Sequence, residues 1–286
     1  MKVGKVDTIY RYPVKSMAGE ALTSARLTER GIPGDRAWAV RDEERGGIRG
    51  AKRFPALMRC SARYEQEPTE TGSTTARVTF PDGTSMAIDD SLAPEALSLL
   101  LGSKVSVWPL MPAEMLNHYR RGAPVLSNRD AELRRVFGRT EDEPLPDLAS
   151  FPAELMKYES PPGTYFDAFP LLVMSSQGLN HLQQLATKHQ FDVRRFRPNI
   201  LIDTGNSQGS FPEREWVGKT LVFGSTSIEI TIGCPRCAMT THGFDNLPKD
   251  PGIMRALVRI ANGELGAYAK VLVPGSIVAG DIVKLV

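Results

Sequence analysis

Two cysteines separated by two residues, in Cys234-Pro235-Arg236-Cys237, are the densest group of reactive side chains in this sequence. A structural zinc ion needs four ligands, and Cys60 and the four histidines supply no second pair at finger-like spacing. A redox dithiol of the thioredoxin type needs a helix after the motif, which Gly243 and Pro248 disfavour. Two interpretations stay open: buried thiols that pack as small apolar groups, and a thiolate that binds a soft metal, with Arg236 favouring the ionised form.

Charged and polar residues at the edges of apolar segments form a second group. Lys15 and Ser16 follow a strand-like run, Arg36 precedes an apolar run at 37–40, and Arg197 and Asn199 lead into another at 200–202. A cation beside a hydroxyl suits a phosphate oxygen. Several such residues together predict a pocket for an anionic ligand.

Each of these cations also has a simpler interpretation. Lys15 and Arg36 would be solvated, and Arg197 would pair with a carboxylate such as Asp167 or Asp203. The first 60 residues hold 13 Lys and Arg against 7 Asp and Glu, yet the whole chain has a net charge of only +2. This balance, without a run of five Lys or Arg, disfavours nucleic acid as a partner.

The elements that must position these side chains are mostly short strands in the first 110 residues. Alternating runs at 3–10, 37–41 and 76–80 are separated by turn residues rich in Gly and Pro. A helix at 94–101 and a strand at 104–109 complete this part. Strands of this length and spacing favour a barrel or a sandwich over a doubly wound sheet.

The rest of the chain divides into a partly helical linker at 111–150 and a second domain at 151–286. Apolar character at 169–174, followed by Ser175 as a helix N-cap, predicts a strand and then a helix. The residues after Asp250-Pro251 predict another helix. Further strands are predicted at 199–203, 220–223, 227–232, 268–273 and 282–285.

The composition is that of an ordinary globular protein, with 41% hydrophobic and 24% charged residues among 286. Three cysteines are too few for a disulfide framework, so a reducing, cytoplasmic location is expected. We expect no membrane association, because the longest apolar run, at 168–174, falls short of the ~20 residues of a membrane span. The N-terminus also lacks the apolar core of a signal peptide.

Taken together, the motifs resemble those of the MOSC family, named for the C-terminal domain of molybdenum cofactor sulfurase, in the version that carries an N-terminal β-barrel domain. The mitochondrial amidoxime-reducing component and its bacterial counterparts share this arrangement. The matching segments occur in the family's order. They are YPVKS at 12–16, GDRAW at 34–38, RFRPNI at 195–200, CPRC at 234–237 with Thr240-Thr241, and GAYAKVLVPGSIVAGDIVKL at 266–285.

The resemblance implies a β-rich α+β fold: an N-terminal MOSC β-barrel domain at 1–110, then a MOSC-type β-barrel domain with a few helices at 151–286. It implies a molybdenum–molybdopterin cofactor in which Cys237, and not Cys234, is the thiolate ligand of the metal. Around Asp167 the chain departs from the family pattern, with Phe166 and Ala168 in place of smaller or hydroxylated residues. The implied cofactor contacts are Lys15, Ser16, Arg36, Asp167, Arg197, Asn199, Arg236, Cys237 and Tyr268.

The activity implied is a molybdenum-dependent oxidoreductase that reduces N-hydroxylated small molecules by oxygen-atom transfer, with Cys237 and Asp167 as catalytic residues. Because no cysteine follows Cys237, we expect electrons from a separate iron–sulfur, flavin or cytochrome protein. One alternative is sulfur transfer through a Cys237 persulfide. Its sulfur would come from another protein, since 286 residues leave no room for the pyridoxal phosphate-binding domain of the sulfurases. The other alternative is a non-catalytic carrier of the cofactor.

Overall fold

Strands dominate the protein, as the sequence predicts. The structure, a computed structural model, describes residues 1–205 and 209–286. The long strands at 2–11 and 226–235 largely alternate buried and more exposed side chains because one face packs on a core. The strands are β1 (Lys2–Arg11), β2 (Glu20–Leu22), β3 (Ser24–Leu27), β4 (Trp38–Asp42), β5 (Ile48–Arg49), β6 (Ser61–Tyr64), β7 (Ala76–Thr79), β8 (Ser85–Ala87), β9 (Val105–Pro109), β10 (Leu171–Ser175), β11 (Ile200–Asp203), β12 (Thr220–Phe223), β13 (Thr226–Pro235), β14 (Glu264–Val273), β15 (Gly275–Val278) and β16 (Ile282–Leu285).

Seven strands form a closed barrel. Their order is β11-β10-β14-β13-β12-β16-β1, and β1 pairs back onto β11, so the ring closes on itself. Fully buried side chains such as Ile9, Ile200 and Phe223 fill its interior. The predicted fold class, β-rich with a barrel and a few helices, is confirmed.

The first strand joins the two halves of the chain. β1 is the only barrel strand from the N-terminal half in the described structure; the other six lie between Leu171 and Leu285. Among the remaining N-terminal strands, β5-β4-β9 and β6-β7-β8 form three-stranded sheets around a second apolar core, β2 pairs with β1, and β3 pairs with β15. Strand pairing therefore fixes the N-terminal half against the barrel.

Helices cover one side of the barrel. Leu182 and Leu257 belong to the apolar cluster there, and the Ser175 hydroxyl caps its helix by accepting a hydrogen bond from the Gly178 backbone N–H at 3.0 Å. Within the described residues, no helix has the length and apolar character needed to cross a bilayer. The helices are α1 (Ala93–Leu101), α2 (Leu116–Tyr119), α3 (Arg129–Phe137), α4 (Ser176–Leu185), α5 (Pro212–Glu215) and α6 (Gly252–Ala261).

Two barrel strands run further than the sequence pattern predicts. The pattern predicts these strands at 227–232 and 268–273, whereas β13 continues to Pro235 and β14 begins at Glu264. The two pair along this extra length, with a register shift just before Pro235. Consequently Cys234 lies in the barrel wall, and Cys237 lies just past its end.

Candidate functional site

One cavity brings together residues that are far apart in the sequence. It lies at the end of the barrel where β1 and β13 finish, and it has a volume of 70 Å³. Every site residue implied by the resemblance lines this cavity. These residues are Lys15, Ser16, Arg36, Asp167, Arg197, Asn199, Arg236, Cys237 and Tyr268.

The two cysteines of the motif have different surroundings. Cys234 is buried, and its sulfur accepts a hydrogen bond from Arg236 Nη1 at 2.9 Å. Burial raises the pKa of the Cys234 thiol, although Arg236 opposes the effect. Cys237 is only partly buried and stands before a short 3-10 turn, Ala238–Thr241. The structure therefore holds Cys234 within the wall and leaves Cys237 accessible to the cavity.

The turn after the motif also bears on the zinc and dithiol interpretations. Four residues of 3-10 helix are not the long helix that follows a thioredoxin-type dithiol. Across residues 1–205 and 209–286, no group of three or more His, Cys, Asp and Glu side chains is placed to hold a metal ion. A structural zinc site built by these residues alone is thus unsupported.

Lys15 and Asp167 form an ion pair at the mouth of the cavity. Lys15 is 5% exposed, and its ammonium donates to Asp167 Oδ1 at 2.8 Å and to the Tyr165 carbonyl at 2.7 Å. Burial lowers the pKa of Lys15, while Asp167 opposes the change. Burial alone would raise the pKa of Asp167, but Lys15 and Lys52 outweigh it and hold that pKa well below its usual range. Lys15 is therefore buried and paired, and it is not the solvated side chain of the simpler interpretation.

Asp35 organises the opposite wall. Its buried carboxylate accepts hydrogen bonds from the Tyr12 backbone N–H at 2.8 Å and from Asn199 Nδ2 at 2.9 Å, and it pairs with Arg36. Asn199 Oδ1 in turn accepts from the Leu172 N–H at 3.1 Å. One carboxylate thus fixes side chains that arrive from the N-terminal half and from the barrel.

Three site residues have left-handed backbone conformations. Ser16, Arg36 and Arg197 have φ values of 70°, 51° and 57°, among five non-glycine residues with positive φ in the described chain. Such conformations cost ~1–3 kcal/mol each and persist only where surrounding contacts fix them. Ser16 shows one such contact, because its hydroxyl accepts from the Ala51 N–H at 2.9 Å. This concentration of strain at one cavity points to a functional site.

Two buried arginines flank the cavity without a carboxylate partner. Arg197 stacks on the Tyr12 ring at 4.1 Å and donates to the Met17 carbonyl, and Arg236 donates to the Phe196 carbonyl at 2.6 Å. In the described part of the chain, Arg197 Nη2 and Arg236 Nε are buried without a hydrogen-bond partner. The simpler interpretation, in which Asp167 or Asp203 pairs with Arg197, is wrong, because the ion pairs of those carboxylates go to lysines.

Two further cations near the cavity were missed by sequence reasoning. The charge of Asp167 raises the pKa of Lys52, with Cys237 adding to the effect, while burial opposes it. Arg139 is 7% exposed and donates to the Phe137 carbonyl at 2.8 Å; burial lowers its pKa, and Cys237 partly offsets this. The basic excess of the first 60 residues was the only feature of the sequence that indicated a role for Lys52. For Arg139 there was none.

The functional groups of these residues are of the kinds that would bind a molybdenum–pterin cofactor. A thiol open to the cavity is a soft metal ligand. The unpartnered nitrogens of Arg197 and Arg236 are donors suited to anionic oxygens. The enclosed 70 Å³ is smaller than the ~300–1,000 Å³ of most small-molecule sites, so a pterin-sized ligand would require side chains at the mouth, such as the 47% exposed Asp167, to move.

Comparison with known proteins gives matches along most of the chain. The MOSC N-terminal beta barrel domain matches residues 3–105, and the MOSC domain matches residues 161–284. Mitochondrial amidoxime reducing component 2 of Bos taurus is 27% identical over 262 residues, covering 84% of this chain and 67% of that protein. Mitochondrial amidoxime-reducing component 1 of Mus musculus is 24% identical over 253 residues, covering 84% and 66%. The chain spans about two thirds of the length of these curated relatives.

A solved structure, the YUAD protein from Bacillus subtilis, aligns over 99% of this chain and 94% of its own, at a TM-score of 0.43 and 12% identity. That similarity is too weak to support a functional argument. The two domain matches occur in the order that the sequence motifs predict. The chain belongs to the MOSC-domain family, in the version that carries an N-terminal MOSC β-barrel domain.

Proposed function

We propose that this protein binds a molybdenum–molybdopterin cofactor through Cys237 and reduces N-hydroxylated small molecules. The observation that carries the proposal is the single accessible thiol, Cys237, in a cavity whose buried Arg197 and Arg236 have unpartnered nitrogens. Several curated relatives are named as amidoxime-reducing components, which supports this reaction class. The N-hydroxylated substrate and the separate electron-donor protein are likewise proposed.

Different residues of this chain would hold different parts of such a cofactor. Arg197 and Arg236 lie beside Cys237 and supply donors for anionic oxygens. Arg36 is fixed by Asp35, so its position is set before any ligand binds. Cys234 remains a wall residue, held by its hydrogen bond from Arg236.

Bound at this site, the cofactor supplies two-electron oxygen-atom transfer. In the net reaction the N–O bond of an N-hydroxyl group breaks, two electrons and two protons are taken up, and an N–H group and water form. The electrons come from a separate protein of iron–sulfur, flavin or cytochrome type. Asp167, predicted to handle a proton, is held ionised beside Lys15, so it is better suited to neutralise that cation than to donate a proton.

The decisive experiment is molybdenum and pterin analysis of protein purified from a host that makes the cofactor. We expect near-stoichiometric molybdenum in the wild type and in Cys234→Ala, and its loss in Cys237→Ala. The Cys234→Ala variant is the matched control, because it removes the neighbouring thiol and leaves Cys237 in place. Protein without molybdenum or pterin would refute both the reductase and the carrier.

Activity and modification then separate the remaining alternatives. With reduced viologen as the electron donor, the loaded protein should convert an aryl amidoxime to the amidine. A loaded protein without turnover of any N-hydroxylated compound would be a carrier. A persulfide on Cys237, detected by mass spectrometry in protein without molybdenum, would identify sulfur transfer instead.

A further inference from the structure

A second and larger cavity lies on the other side of Arg197. Its volume is 760 Å³, against 70 Å³ for the cavity that holds Cys237, and this falls within the ~300–1,000 Å³ of typical small-molecule sites. It lies between the barrel and the N-terminal half of the chain. Arg197 lines both cavities, and the proposed function makes no use of the larger one.

The walls of this cavity are rich in aromatic and apolar side chains. Phe80 and Met58 come from the N-terminal half, Phe244 comes from the segment after the cysteine motif, and Tyr10 comes from β1. The Tyr10 ring lies 6.4 Å from the Tyr12 ring at an interplanar angle of 22°. Side chains of this kind bind flat, apolar ring systems.

The charged groups of the cavity favour a negative ligand. Arg59 is exposed at the cavity, and its guanidinium has no hydrogen bond or ion pair to any described residue. Arg194 pairs with both Asp192 and Asp245, each at 2.8 Å, so its guanidinium is already occupied. Arg59 is therefore the guanidinium that can meet an anion beside the aromatic wall.

We propose that this cavity is a binding site for a flat aromatic ligand that carries one anionic group, such as a carboxylate. The ring packs against Tyr10, Phe80 and Phe244, and the anionic group meets Arg59. The site is separate from the cofactor cavity and goes beyond the proposed reduction, since it needs neither molybdenum nor turnover. Through Arg197 it adjoins the cofactor cavity.

Isothermal titration calorimetry of the purified protein with 2-naphthoate tests this proposal. The neutral amide of the same shape, 2-naphthamide, measures the contribution of the charge. Ala21→Trp tests the location, because Ala21 is an exposed residue that lines the cavity and a larger side chain would fill it. Arg59→Gln tests the anion partner, and Arg63→Gln is the matched control, an exposed arginine of the same half outside the cavity.

We expect saturable binding of one 2-naphthoate, at least about tenfold weaker binding of the amide, and loss of binding in Ala21→Trp. Arg59→Gln should weaken binding about three- to tenfold, as for a charge-assisted hydrogen bond at an open site, and Arg63→Gln should not. Arg59→Gln also tests the site if the tryptophan variant fails to fold. Equal binding of acid and amide, binding unchanged in the tested variants, or no binding would overturn the proposal. Because the readout is binding without molybdenum, it is independent of the test of the proposed function.

Discussion

Replacing Asp35 with asparagine should reveal how strongly one carboxylate holds the cofactor cavity together. The Asp35 side chain is fully buried, pairs with Arg36, and accepts hydrogen bonds from Tyr12 N and Asn199 Nδ2. Asp35→Asn keeps the shape of the side chain and removes its charge. It also replaces one carboxylate oxygen with an amide NH2 group, which cannot accept a hydrogen bond from Tyr12 N or Asn199 Nδ2. Arg36, with 14% of its side chain exposed, then loses its counter-charge.

We expect Asp35→Asn to lower the free energy of unfolding by about 3–5 kcal/mol, the cost of leaving one partner of a buried ion pair alone. The double variant Asp35→Asn/Arg36→Gln removes the stranded cation as well. Its loss should therefore be smaller than the sum of the two single losses, by ~0.5–3 kcal/mol.

Urea unfolding at neutral pH, followed by tryptophan fluorescence, measures these differences. Asp7→Asn is the matched control, because Asp7 is exposed on β1, so its removal should change stability by less than ~0.5 kcal/mol. A loss below ~1 kcal/mol for Asp35→Asn, or strict additivity in the double variant, would refute this account of the ion pair.

Three further outcomes follow from the same structure. Iodoacetamide should alkylate Cys237 before Cys234, because burial raises the pKa of the Cys234 thiol; peptide mass spectrometry showing the reverse order would contradict this. Asp167 has a lowered pKa in the folded protein, so its stabilising contribution is present above its unfolded pKa of ~4 and is lost as pH falls. Asp167→Asn should thus be less stable than wild type in urea at pH 7, with the gap closing toward pH 3; a gap independent of pH would be inconsistent with this. Burial raises the pKa of Glu213, so its contribution is lost as pH rises through the folded pKa. Glu213→Gln should gain stability relative to wild type between pH 4 and pH 8, and thermal melts showing a relative loss would disprove it.

Local pattern predicted most of the elements. β12 and β16 lie at the predicted 220–223 and 282–285, because alternating apolar residues meet turn glycines at Gly224 and Gly280. The same alternation identifies β1 as a strand. It reports which face of β1 is buried but not which strands lie beside it, so the pairing of β1 with β11 and β16 could not be predicted.

The candidate site was predictable as a set of residues and not as a geometry. Family motifs pointed to Lys15 and Cys237, which are 222 positions apart, and only the closed barrel brings them to one cavity. Arg139 and Lys52 escaped because an isolated cation has no periodic signature, and their burial depends on tertiary packing. The unequal roles of Cys234 and Cys237 likewise depend on where β13 ends.

The closure of the barrel by β1 has a consequence for synthesis on the ribosome. About 270 residues separate β1 from β16, one of its two barrel neighbours, so at ~5–20 residues per second roughly 15–55 seconds pass before both are available. Throughout that interval β1 exposes backbone groups that other chains could capture. Because β16 follows β1 by so many residues, this pairing is non-local, and slow closure of the barrel is expected from this topology.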